Sequence, residues 1–204
     1  MDAYIRNAVC PDIPYLYSIC LSTGSAGEDA AHLFRDPLIL GQYYAAPYLF
    51  FDPSLCFIAE SGLIPKGYLL AAEDTRVFRN WFESKWLPDL RRRYPYPPPP
   101  HRTASDFEKN IYALIHLDIT KGDPEPWIDE YPAHLHIDIL PELQGQGCGR
   151  RLMESLFSAL GERKCPGIHL GVGAKNTNAA AFYKHLGFSV FREKEHGSIM
   201  VKHL

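Results

Sequence analysis

Two hydrophobic rhythms alternate along this chain, one of period two and one close to 3.6. Ala3 to Arg6 is a short strand candidate. Residues 12–21 place Ile13, Leu16, Tyr17 and Cys20 on one helical stripe, which Gly24 stops. Between 28 and 46 the pattern predicts two short helices broken at Asp36-Pro37, because proline disfavours a helical residue before it. Leu55 to Glu60 and Gly67 to Glu73 are apolar runs divided by Ser61-Gly62 and Pro65-Lys66, the signature of an antiparallel hairpin. Residues 75–87 put Val77, Phe78, Trp81, Phe82 and Trp86 along one stripe, expected to end near Pro88.

The stretch RRRYPYPPPPHR then interrupts regular structure. Three arginines beside a polyproline run suit either a partner-binding segment or a solvated helix end with a stiff spacer. Ser105 and Glu108 have capping-box spacing ahead of Ile111, Leu114 and Ile115. Residues 118–132 form a loop longer than most, a length often associated with function.

From Ala133 the rhythm is strict. Leu135, Ile137 and Ile139 point to one face of a strand, and His134, His136 and Asp138 to the other. Pro141 ends it. The turn Gln144-Gly145-Gln146-Gly147-Cys148-Gly149 leads into a helix with Leu152, Met153, Leu156, Phe157 and Leu160 on one stripe. A second strand, Ile168 to Gly173, follows. Ala174-Lys175-Asn176-Thr177-Asn178 then opens a helix bearing Phe182, Tyr183 and Leu186, with Gly187 at its C′ position.

Composition narrows the class. The 204 residues carry a net charge of −3, with 46% hydrophobic and 22% charged side chains, which excludes wholesale disorder. The near-neutral balance gives no overall pull toward nucleic acid or an acidic membrane. Five widely spaced cysteines with no CxxC pair fit a reducing, cytoplasmic setting, and the N-terminus shows no secretory pattern. No apolar run reaches the length of a membrane span. Proline is in surplus: nine of the 17 fall between residues 88 and 132.

A strand, a glycine-rich turn and a helix together make an anion site, since several N–H groups point inward and the helix N-terminus adds partial positive charge. Arg150 and Arg151 in the first turn oppose the usual dipole preference, which an anion nearby would offset. No GK[ST] closes the turn as in a P-loop, and residues 145–150 fail the dinucleotide pattern GxGxxG at Arg150. H-x-H-x-D invites a metal reading, but positions i and i+4 of a strand lie about 13 Å apart, so no metal site is expected.

QGQGCGRRLMESL followed by GVGAKNTNAAAFYKHLGF resembles the GCN5-related N-acetyltransferase (GNAT) family. The wording AHLHIDILPELQGQGCG and HLGVGAKNTNA is most similar to the acetyltransferase-like C-terminal region of O-GlcNAcase and its free-standing bacterial relatives. The resemblance implies one α/β (α+β) domain over 1–204. Its mixed central sheet has about seven strands flanked by helices, an acetyl-CoA-binding core is expected over about 133–192, and a helical, proline-rich insertion over about 75–132. It implies acetyl-CoA held at the pyrophosphate by Gln144, Gly145, Gln146, Gly147, Cys148, Gly149 and Arg150. Asn176 and Asn178 would touch its arm, and amides near Ile139 and Leu140 would hold the acetyl carbonyl.

The implied reaction is direct attack of a primary amine on the thioester, the amine belonging to a small molecule or to a lysine-bearing protein. A lysine-like amine is neutral in only roughly a few molecules in ten thousand at pH 7, so a base is needed, and an acid for the departing thiolate. By motif match Tyr183 takes the acid role, unless its ring merely fills the core. The family's strand glutamate matches Gly171 here. Asp138, with His136 assisting, is therefore the favoured base, and Glu130 and Asp129 are reserves. The alternative for that polar face is a structural hydrogen-bonded cluster. A catalytically silent module that binds a protein or peptide is the rival to the enzyme. Residues 12–46, 75–93 and 118–132 are expected to shape the acceptor pocket.

Overall fold

In a computed structural model, residues 3–121 and 125–204 are described; Gly122, Asp123 and Pro124 of the long-loop expectation lie outside them. The chain begins with β1 (Tyr4–Asn7) and α1 (Ile13–Thr23), the helix ending at Gly24 as the pattern required. The expected pair of helices over 28–46 is instead a single 3-10 turn at Ala31–Leu33 followed by α2 (Ile39–Tyr44). The apolar pattern then carries on into an unanticipated α3 (Ala46–Phe51), with Pro47 in its first turn where no N–H bond is lost. The predicted hairpin is β2 (Cys56–Ser61) and β3 (Ile64–Ala72).

The helix expected to stop near Pro88 does not stop. It runs as α4 (Thr75–Trp81), a π-helical turn over Phe82–Trp86, and α5 (Leu87–Arg93). Pro88 sits in the first turn of α5, where its missing N–H costs nothing, and Leu87 before it and Leu90 beyond it keep an apolar face buried. The three arginines close this helix. Arg91 pairs with Glu83 and donates to the Ile115 carbonyl, Arg92 pairs with Asp89, and Arg93 lies over the Tyr94 ring. Those contacts favour the helix-end reading of the RRR run.

α6 (Asp106–His116) is capped by Ser105, whose hydroxyl accepts from the Glu108 amide at 3.1 Å. The box is only half formed. Glu108 is fully buried, and its carboxylate accepts from the amides of Arg35, Asp36 and Ala104 instead of returning to Ser105. α6 is thereby pinned to the loop before α2. A short α7 (Trp127–Glu130) interrupts the 118–132 loop.

The second half follows the expected order through β4 (Ala133–Ile139), α8 (Cys148–Glu162), β5 (Gly167–Gly173) and α9 (Thr177–His185), and adds two strands that the residue pattern had not placed, β6 (Ser189–Lys194) and β7 (Gly197–His203). The seven strands form one sheet in the order β1-β2-β3-β4-β5-β7-β6. All pairs are antiparallel except β4 with β5. Helices cover both faces. Tyr68 and Leu70 of β3 join the core under α1 to α6, while Leu69 and Ala71 join the core under α8 and α9. That double burial explains why β3 reads as a continuous apolar run rather than an alternating one. On α8, Leu152, Met153, Leu156 and Leu160 are fully buried, each contributing about 1.5–3 kcal/mol. No helix among the described residues is long and apolar enough to cross a membrane.

Candidate active site

The site begins where two strands part. β4 and β5 are in register only at Ala133↔Ile168 and His134↔His169, whereas β4 stays paired with β3 through Gly67↔Ile139. The Leu140 amide donates to the Lys66 carbonyl at 2.8 Å, which sets the phase of the β3–β4 ladder. Alternate residues of an antiparallel strand send their backbone groups to opposite sides. The amides of Ile137 and Ile139 therefore point away from β3, into the wedge that β5 has vacated. Ile139 can offer its N–H to a carbonyl there. Leu140, expected to share that role, cannot, because its amide is already committed to Lys66.

At the mouth of the wedge lies the glycine turn. Gly145 and Gly147 have φ of 72° and 75°, and a Cβ at either would meet nothing within 4 Å, so left-handed backbone rather than crowding requires glycine. Six successive amides, Gly145 to Arg150, have no backbone acceptor among the described residues. The turn and the first turn of α8 thus leave a row of unpaired donors at a helix N-terminus, an arrangement that could hold an anion. Gln144 and Gln146 brace the turn by donating to the carbonyls of Ile139 and Glu142 at 2.8 and 2.6 Å. The Cys148 side chain is buried in the core, leaving only its amide for a ligand. At Gly149 a Cβ would lie 3.1 Å from the Phe182 ring, so this glycine lets α8 and α9 approach.

Asn176 caps α9, its Oδ1 accepting from the Ala179 amide at 3.1 Å, so a structural duty accounts for its oxygen. Asn178 is exposed one position inside the helix. Tyr183 is 7% exposed, with its ring packed against Phe182 and Phe188, and its hydroxyl makes no hydrogen bond among the described residues. Burial raises its pKa above 10, and the nearby Asp138 charge adds to the rise, so the phenol stays protonated at neutral pH. It is both a packed ring and an available donor.

The polar face of β4 divides into three environments. His134 is saturated: Thr75 gives its hydroxyl to the Pro132 carbonyl, so the His134 Nδ1–H donates to Thr75 Oγ1 and Nε2 accepts from Tyr48. Burial, with His136, His169 and Arg79 adding to it, keeps His134 well below 6.5 and neutral. His136 has no hydrogen-bond partner among the described residues. Its ring lies against Tyr44 and Tyr48, and burial pushes it down to about 4. Asp138 accepts from the Tyr68 hydroxyl at 2.5 Å; burial raises its pKa while the bond from Tyr68 pulls the other way.

A cavity of about 900 Å³ opens on this face. His134, His136 and Gly171 line it with Tyr44, Arg79 and Trp127, while Asp138 and Tyr183 lie outside its wall. The expected trio is therefore not brought onto one surface. His136 faces the cavity, and Asp138 lies farther along β4, toward the wedge. Segments 12–46, 75–93 and 118–132 all contribute wall residues. Glu130 and Asp129 do not; Asp129 is paired with Arg76.

Sequence reasoning missed His169, Trp127 and Tyr68. His169 is 7% exposed; its Nδ1–H donates to the Tyr131 carbonyl at 2.6 Å, which leaves Nε2 bare. Its alternation with Leu170 and Gly171 on the second strand was the available signal. Nothing local marks Trp127 or Tyr68. Among the described residues no group of three or more His, Cys, Asp or Glu is placed to hold a metal ion.

The family model described as Acetyltransferase (GNAT) family matches residues 68–188. The crystal structure of SsHAT is similar over 100% of this chain and 98% of that one, with 35% identity and a TM-score of 0.89. The peptidyl-lysine N-acetyltransferase YjaB of Salmonella typhimurium is 36% identical over 63 residues, which is 29% of this chain and 40% of that protein. The match thus spans less than half of that curated relative. The PaiA N-acetyltransferase from Thermoplasma acidophilum, solved in complex with coenzyme A, has a TM-score of 0.58 at 13% identity with both chains fully covered, a likeness of fold.

Proposed function

Because this chain belongs to the acetyltransferase (GNAT) family, we propose that it transfers acetyl from acetyl-CoA to a primary amine by direct attack within a ternary complex. The family uses acetyl-CoA, and membership supports the N-acetyltransferase reading. The observation that carries the mechanism is the wedge after His134↔His169, which leaves the Ile139 amide open beside six unpaired loop amides. When bound, acetyl-CoA supplies a thioester carbon open to nucleophilic attack.

Gly145 to Arg150 bind the pyrophosphate through their amides, and Asn178 meets the cofactor arm. The Ile139 N–H orients the acetyl carbonyl and stabilises charge developing on its oxygen. Tyr183 donates its phenolic proton to the departing sulfur. Asp138 receives the proton of the amine. His136 stands two residues away on the same strand face, about 7 Å along it, a span that one water can bridge. His136 thus passes the proton inward from the cavity.

Residues 1–204 act as one domain in this reading, with 133–192 as the cofactor core. The 75–132 insertion walls the acceptor side, which its contribution to the cavity supports. Within the family we assign the chain to the group typified by the acetyltransferase-like region of O-GlcNAcase, on the wording of 133–149 and 169–179. Five unpaired cysteines support a cytoplasmic setting. A catalytically silent, peptide-binding module is the second reading. It draws on Gly171, exposed and with open space where relatives carry an acid.

Calorimetry with acetyl-CoA separates the two, followed by thiol release across amines with wild type, Asp138→Asn and Tyr183→Phe. Binding with amine-dependent thiol release supports the enzyme. No binding at millimolar acetyl-CoA overturns it.

A further inference from the structure

We propose that the amine acceptor also carries a negatively charged group, a carboxylate or a phosphate, and that Arg192 and Lys194 of β6 hold it at the cavity wall. The inference rests on the acetyltransferase reading above and names the class of acceptor. Five cations line the cavity, and Glu125 is the one carboxylate lining it among the described residues. Glu125 is already paired with Arg79, and two more of the cations, Arg76 and Lys121, are paired with carboxylates outside the wall.

Arg192 and Lys194 have no carboxylate partner among the described residues. Both stand over the Trp127 ring, 5.1 and 5.3 Å from its centroid. The β6–β7 register slips between Val190 and Arg192, and a bulge of this kind re-aims side chains. It brings Phe191 and Arg192, neighbours in sequence, onto the same indole. The indole Nε1–H is itself buried without an acceptor among the described residues. This wall therefore presents two cations with no carboxylate partner among the described residues, set on an indole whose buried N–H has no acceptor there.

An acceptor bearing only an ammonium meets a wall of like charge. A zwitterionic amine places its anion against Arg192 and Lys194 through charge-assisted bonds and leaves its amine for His136, which is neutral. The cationic surroundings also lower the amine's own pKa and so favour the nucleophilic form.

The test compares kcat/KM for matched acceptors at fixed ionic strength: β-alanine against propylamine, phosphoethanolamine against ethanolamine, and agmatine as a polycation. The first two pairs separate carboxylate from phosphate. The member bearing the anionic group preferred about tenfold or more over the partner that lacks it supports the proposal. The variant R192Q/K194Q then lowers that preference about tenfold while its Kd for acetyl-CoA is unchanged. Equal rates within both pairs, preference for agmatine, or a variant that leaves the preference intact overturns it. Direct calorimetric binding of phosphoethanolamine and β-alanine, without acetyl-CoA, keeps the two readings apart. If acetyl-CoA fails to bind while an anionic amine binds wild type and not the variant, the transferase reading falls and the anion site stands. If acetyl-CoA binds and neither anionic amine binds or reacts, the anion site falls alone.

Discussion

The Tyr68 hydroxyl donates to Asp138 Oδ2 at 2.5 Å, and the two residues are direct register partners across β3 and β4. Burial raises the pKa of the carboxylate that we assign as base, and this phenol on the neighbouring strand opposes the rise. Tyr68→Phe removes a bond that favours the charged form, so the Asp138 pKa rises further. The acid limb of the kcat/KM profile is expected to shift to higher pH with its plateau retained. An unmoved limb would take Asp138 out of the proton path.

Asp138 also carries a stability cost at neutral pH. Its folded pKa is raised above the unfolded value of about 3.9. Its contribution is therefore fully present below that value and is lost as pH rises through the folded pKa. Asp138→Asn is expected to raise Tm near pH 7 while lowering kcat about 100-fold or more. A lower Tm with unchanged kcat would mark the residue as structural.

Tyr183→Phe separates the two roles of that ring. The ring contacts with Phe182 and Phe188 survive and the lost hydroxyl has no partner among the described residues, so Tm is expected to hold. As the acid, the hydroxyl is worth about 100-fold or more in kcat, with Kd for acetyl-CoA unchanged. Wild-type kcat in the variant would leave Tyr183 as core alone.

Gly147→Ala tests the loop. Its φ of 75° costs an L-residue about 1–2 kcal/mol, and relief of that strain turns the loop amides away. Calorimetry should show acetyl-CoA binding weakened about tenfold. Gly161→Ala, in α8 with open space and ordinary φ, is the control and is expected to stabilise by about 0.5–1 kcal/mol without touching affinity.

His134, His136 and His169 are all held below 6.5 by burial. A depressed folded pKa contributes stability present above the unfolded value and lost as pH falls through the folded one. Urea unfolding should show stability dropping from about pH 6.5 toward 4, where His136 titrates. His136→Gln is expected to flatten that slope. An unchanged slope would mean that His136 is already charged in the fold.

The strand and helix order over 133–187 was legible because each signal there is local. Period two separates His134, His136 and Asp138 from their apolar neighbours, and left-handed backbone demands glycine at 145 and 147 whatever surrounds them. Pro88 misled for the same reason. A proline that ends one helix and a proline that opens the next look identical, and only the burial of Leu90 distinguishes them. Glu108 had the right spacing for a capping box, yet amides about 70 residues away claimed its carboxylate.

By itself the sequence determined the element order over 133–187, the glycine turn at a helix start and the polar face of the fourth strand, all set by contacts within a few residues. Tertiary structure alone decided where β4 and β5 part, and hence that Ile139 keeps a free amide while Leu140 does not. It also decided that Arg192 and Lys194 meet Trp127 in the wall of the cavity that His136 lines. Those outcomes depend on packing between residues far apart in the chain, and no local pattern encodes which distant partner arrives first to satisfy an amide or a charge.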